Sequence, residues 1–114
     1  RKPTGNLSVY PGSKETMIIA EWSLIPIGTS TTSVSRYVKD AVKELEKQEG
    51  IRVKPEAMGT LIEAESLAEL FTAIERAHNS VFESGVRRIV SEIRIDDRRD
   101  KEATIESKAK ALDK

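Results

Sequence analysis

From Met17 to Pro26 the chain alternates, with Ile18, Ala20, Trp22 and Leu24 on one face and Ile19, Glu21, Ser23 and Ile25 on the other, as a half-buried strand requires. A hydroxyl-rich connection, Gly28 to Ser33, follows. Val34, Tyr37, Val38, Ala41, Val42 and Leu45 then recur at three- and four-residue spacing, predicting an amphipathic helix that Gly50 is placed to close in the left-handed conformation. Ile51 to Met58 and Thr60 to Glu65 read as two strands with Gly59 as a bend or bulge between them. Pro55 removes a ladder donor from the earlier strand, which assigns it to a sheet edge. Ser66 and Glu69 have capping-box spacing, and Leu67, Leu70, Phe71, Ile74, Ala77, Val81 and Phe82 predict a second helix that ends at Gly85. Alternation returns from Arg87 to Asp96. A final helical signal between about Lys101 and Leu112 has only a narrow stripe, Ile105, Ala109 and Leu112, suited to packing on a neighbouring subunit.

The predicted order, strand, helix, strand, strand, helix, strand, is the ferredoxin-like βαββαβ arrangement of the α+β class. Right-handed crossovers put both helices on one face of a four-stranded antiparallel sheet, with the first and third strands central and the other face open. Residues 1 to 16 lack a sustained period and are expected to be a leader or N-terminal extension. Residues 17 to 114 form a single domain, with Met17 the expected native start.

Composition narrows the chemistry. The 114 residues carry 19 Lys and Arg against 19 Asp and Glu, so the formal net charge is zero although 33% of positions are charged. That balance lacks the basic footprint of a nucleic-acid binder or a polybasic membrane contact. With no cysteine and one histidine, thiolate catalysis, disulfides, Cys-based zinc sites and a His-pair metal motif are excluded. No apolar run approaches the ~20 residues of a membrane helix, and no signal-peptide pattern is visible, so a cytoplasmic location is expected. His78, at the edge of the second helix's stripe, reads as a hydrogen-bonded structural residue.

Candidate chemistry concentrates on the open face. The strand phases turn Glu21 and Ser23, Leu61, Glu63 and Glu65, and Val90, Glu92 and Arg94 toward it. Solvated surface charge accounts for any one of these residues. Together, however, Glu21, Glu63 and Glu92 repel one another unless a cation, ligand or partner completes the site, and they suit an amine-bearing or cationic heterocycle. Nothing marks one carboxylate as apolar and proton-retaining beside an ionised partner, so no catalytic residue is assigned. Thr29, Ser30, Thr32 and Ser33 precede a helix start where free N–H groups favour an anion, although a cap and a turn explain them equally well. The Gly-Lys-Ser/Thr ending of a P-loop is absent. Asp96 to Asp100 alternates in sign and reads as a strand end with salt bridges across a subunit boundary and Asp100 as a helix cap. No metal site is assigned.

Four segments taken together resemble a family of small thiamine-binding proteins. They are Ala20-Glu21-Trp22-Ser23-Leu24-Ile25-Pro26 running into Ile27-Gly28-Thr29, the helix start Thr32 to Val38, the turn Met58-Gly59-Thr60-Leu61-Ile62-Glu63, and Ile93 to Lys101. The resemblance spans about residues 17 to 112. It implies a ferredoxin-like subunit that assembles through its sheets into homodimers or homotetramers. It also implies binding of thiamine or its hydroxymethylpyrimidine moiety, with no required cofactor and no catalysis. Gly59-Thr60 and Glu63 match the family's Gly-Thr-x-x-Glu turn, and Glu21 and Ser23 its polar first-strand positions. Ala64 and Ser30 stand where glycines are frequent in the family. On this resemblance Glu21 and Glu63 would engage the aminopyrimidine or offset the thiazolium charge. Ser23 and Thr60 would orient the ligand, and Met58 or Leu61 would pack against its ring. A cofactor-free enzyme acting on a small metabolite, and a regulatory or assembly module without a ligand, are the alternatives.

Overall fold

The computed structural model describes residues 17–100 together with 105, 106 and 109; the expected leader and most of the final helix lie outside the described residues. The elements are β1 (Ile18–Pro26), α1 (Ser35–Glu46), β2 (Ile51–Glu56), β3 (Gly59–Ala64), α2 (Leu67–Glu83) and β4 (Ile89–Asp97). All strand pairs are antiparallel and the sheet order is β2-β3-β1-β4, so the fold is the ferredoxin-like α+β arrangement that the element order predicts.

The predicted phase of β1 holds. Ile18, Ala20, Trp22 and Leu24 enter the core, where they meet Tyr37, Ala41 and Leu45 of α1, Ile62 and Ala64 of β3, and Leu70, Ala73, Ile74, Ala77 and Val81 of α2. Leu45, Ile62, Leu70 and Val81 are completely enclosed. Burying each such side chain contributes roughly 1.5–3 kcal/mol relative to leaving it in water.

Several local expectations are corrected. Helix α1 stops at Glu46, four residues before Gly50. Gly50 instead has φ +79° in the connection to β2, where a Cβ would come within 2.6 Å of a Glu69 carboxylate oxygen. The bend expected at Gly59 falls at Ala57-Met58, and Gly59 lies within β3 opposite Glu56. Leu67, Phe71 and Phe82, placed in the α2 stripe, are exposed; Ala73 takes an inward position, because the buried arc of α2 is narrower than its apolar arc. Ile93 and Ile95 have the phase of core residues but are also exposed, since the helices pack chiefly toward the β2–β3 side of the sheet, away from β4.

Other expectations match. Pro55 does lie on an edge strand, β2. The Ser66 hydroxyl accepts the Glu69 N–H at 3.2 Å, satisfying one free donor at the start of α2, and Gly85 follows that helix with φ +104°. In the charged run after β4, Arg99 grips Asp97 and Arg98 grips Asp100 within the chain. The Arg99 fork holds the Asp97 carboxyl below its ordinary range by hydrogen bonding to the charged form.

Candidate functional site

The register decides which side chains meet on the helix-free face. Glu21 stands between Leu61 of β3 and Arg94 of β4, and Ser23 stands opposite Glu92. Glu63 is one row away, between Ile19 and Arg52. The three glutamates expected together are thus divided. Glu21, Ser23, Glu92 and Arg94 line a shallow depression of about 410 Å³, whereas Glu63 does not line it.

Glu63 is only 2% exposed, and both of its carboxylate oxygens are engaged. Arg52 Nη1 donates to Oε1 at 3.3 Å, and the backbone N–H of Ile105 donates to Oε2 at 2.8 Å. A buried carboxylate needs such donors, because an unpaired one would carry its full desolvation cost. In this position Glu63 ties residue 105 to the face opposite the helices. This contact makes that end of the helix-free face less open than expected.

A larger cleft, about 790 Å³, opens where β3 ends. Strand β1 pairs with β4 along its full length, Ile18 to Pro26, but with β3 only from Ile18 to Trp22. The flank of β1 beyond Trp22 faces the Ala57-Met58 turn and the start of α1 instead of a strand. Trp22, Leu24, Val34, Val38 and Met58 supply apolar wall, and Ser23, Thr60, Glu56 and Glu92 supply polar groups. Ser23 and Glu92 line both this cleft and the depression on the helix-free face, so the two adjoin.

One atom in this region lacks what its burial demands. Trp22 is 2% exposed and lines the cleft, yet its indole Nε1–H has no hydrogen-bond partner. Leaving such a donor unsatisfied costs roughly 1–3 kcal/mol. Above it, Gly59 allows the Glu21 side chain to lie close to the sheet, because a Cβ there would come within 3.2 Å of Glu21 Cγ and 3.3 Å of the Trp22 carbonyl oxygen.

The residues expected at the site therefore separate. Ser23, Met58 and Thr60 meet at the cleft, Glu21 joins Ser23 in the adjoining depression, and Leu61 and Glu63 line neither. Of the expected anion-binding group, Ser33 lines the cleft, Thr29 and Ser30 line a third depression, and Thr32 lines none of the three. Trp22 was assigned to the core alone, and it does belong there; its second role depends on where β3 stops, which no local pattern encodes. Among the described residues there is no group of three or more metal-ligating side chains, and no helix is long and apolar enough to cross a membrane.

The chain is, as a class, a two-layer ferredoxin-like α+β protein with an apolar cleft at one end of its sheet, rimmed by Glu56, Glu92 and Lys39. The chain belongs to the thiamine-binding protein family, whose model matches residues 7–113. Among its relatives, the UPF0045 protein YqgV of Bacillus subtilis is 48% identical over 101 residues, covering 86% of this chain and 96% of that protein. A UPF0045 protein of Methanothermobacter thermautotrophicus is 43% identical over 96 residues, covering 84% and 96%. The crystal structure of the hypothetical protein MJ1052 from Methanocaldococcus jannaschii superposes with a TM-score of 0.76 at 43% identity, covering 85% of this chain and 96% of that one.

Proposed function

We propose that the protein binds thiamine, or the hydroxymethylpyrimidine portion of it, without catalysing its turnover, as a homo-oligomer acting in the cytoplasm. The observation that carries this reading is the cleft where β3 ends, with an apolar wall from Trp22, Leu24, Val34, Val38 and Met58 and with Glu56 and Glu92 beside Lys39 at its rim. Family membership supports it by naming the ligand class. An aminopyrimidine ring offers flat apolar faces to Val34, Val38 and Met58. Ser23 and Thr60 offer hydroxyls for the exocyclic groups. Glu92, with Glu21 or Glu56, offsets the positive charge of a thiazolium, and the adjoining depression gives that second ring room.

The sheet edges support self-association. Edge strand β2 carries Arg52, Lys54, Pro55 and Glu56, which discourage strand addition. Edge strand β4 is nine residues long and exposes Val90, Ile93 and Ile95, so a second copy joined along β4 would cover apolar surface and extend the sheet.

Titration calorimetry with thiamine and with 4-amino-5-hydroxymethyl-2-methylpyrimidine tests the reading. Saturable binding is expected for at least one of them, and Glu92→Gln, which removes a rim carboxylate, should weaken thiamine binding about tenfold. Absence of saturable binding to either compound would overturn it. Native mass spectrometry reads the subunit count directly.

A further inference from the structure

A third depression, of about 490 Å³, lies between the β1–α1 connection and the loop that leads from α2 into β4. The two loops are fastened together by the Ile27 N–H, which donates to the Arg88 carbonyl oxygen at 2.8 Å. We propose that this depression binds a phosphate-type oxyanion, free or as the terminal group of a phosphate monoester, between the guanidinium groups of Arg36 and Arg87. The proposal is independent of the thiamine reading and concerns a different set of side chains.

Its first support is charge. Arg36 and Arg87 both line the depression and no carboxylate does. Among the described residues, every ion pair of 4.0 Å or less involves other cations. Two guanidinium groups facing one hollow repel unless an anion lies between them, and their planar forks match the oxygens of a tetrahedral oxyanion.

The second support is pre-organisation. The Arg36 guanidinium carbon lies 4.7 Å from the centroid of the Tyr37 ring, and Arg36 Nη2 donates to the Tyr37 hydroxyl oxygen at 2.9 Å. Tyr37 is buried in the core, so it holds a long, otherwise mobile side chain against a rigid surface.

The third is placement. Arg36 sits in the first turn of α1, which contains no acidic residue and has no side-chain cap. A cation at the positive end of a helix is electrostatically adverse, and a bound anion reverses the sign of that interaction. Thr29 and Ser84 commit their hydroxyl protons to the carbonyl oxygens of Thr31 and Val81, which leaves Ser30 and Tyr37, whose hydroxyl accepts from Arg36 and keeps its own proton, as the lining hydroxyls able to donate to an incoming oxygen.

The test is a titration of the full chain with inorganic phosphate, followed by backbone amide NMR at ionic strength held constant with sodium chloride, and a parallel titration with phenyl phosphate. Saturable shifts are expected at Gly28 to Ser30 and Gly85 to Arg87. Arg36→Gln and Arg87→Gln should each weaken binding roughly tenfold, since each removes a charge-assisted pair. Tyr37→Phe, which frees Arg36 but keeps the ring, should weaken it less. Arg76→Gln, on the exposed side of α2, should leave it unchanged. Tighter binding of phenyl phosphate assigns the site to monoesters, and tighter binding of inorganic phosphate assigns it to the free ion. Phosphate that binds no better than chloride, or wild-type affinity in both arginine variants, would overturn the proposal.

Discussion

The two βαβ halves of the sheet share one topology but enter their helices differently. Between β1 and α1 the chain uses eight residues, Ile27 to Val34, and α1 starts after Val34 with no side-chain cap. Between β3 and α2 it uses two, Glu65 and Ser66, and the Ser66 hydroxyl closes the helix start. The second half also has the longer helix, 17 residues against 12, with five buried positions against three. The short, capped connection leaves no room for a ligand. The long, uncapped one lines both the apolar cleft and the basic depression, with Ser33 and Val34 on one side and Thr29 and Ser30 on the other. Buried packing is thus concentrated beside the tight turn, and both hollows lie along the longer connection.

This contrast can be broken most severely in α2. Leu70→Ala should cost about 2–5 kcal/mol in urea unfolding, because Leu70 is fully enclosed between helix and sheet. A loss well under 1 kcal/mol would show that α2 is not the anchor described. Next in size, Ser66→Ala should cost about 1 kcal/mol by removing the cap, with thiamine affinity unchanged because no residue of that connection reaches the cleft. The sharpest test is the smallest. Val34→Thr keeps the side-chain shape, and because Val34 has φ −110° and ψ 1°, not the extended backbone from which Ser66 caps α2, thermal unfolding should change by no more than a few tenths of a kcal/mol. The same substitution puts a polar atom in the cleft wall, so calorimetry should show weaker thiamine binding. Undiminished affinity would mean that Val34 does not wall a thiamine site.

Much of the fold was legible along the chain because its signals are local. The alternation of Ile18 to Ile25 reports a strand with one buried face, Ser66 with Glu69 reports a helix start, and Pro55 reports an edge. The errors arise where an apolar residue has the right phase but no partner above it. Phe71, Phe82, Ile93 and Ile95 are periodic and exposed, because periodicity states a direction and burial depends on what lies in that direction. The candidate site was legible only in part for the same reason. Ser23, Met58 and Thr60 were found through the family pattern, while Arg36 and Arg87, 51 positions apart, are joined only by the contact between two loops. One local signal did point to Arg36: it is a cation in the first turn of a helix, where an acid is the favoured residue.

The sequence by itself determined the order of elements, the phase of each central strand, the neutral charge balance and the absence of cysteine chemistry, since each follows from residue type and spacing. Only the tertiary structure decided that Glu63 is a buried tie to residue 105 and not an open carboxylate, that β1 outruns β3 and so exposes a cleft beside Trp22, and that two distant arginines face one hollow. These depend on where strands stop and which loops touch. Such properties arise from packing the elements against one another, and no single segment carries them.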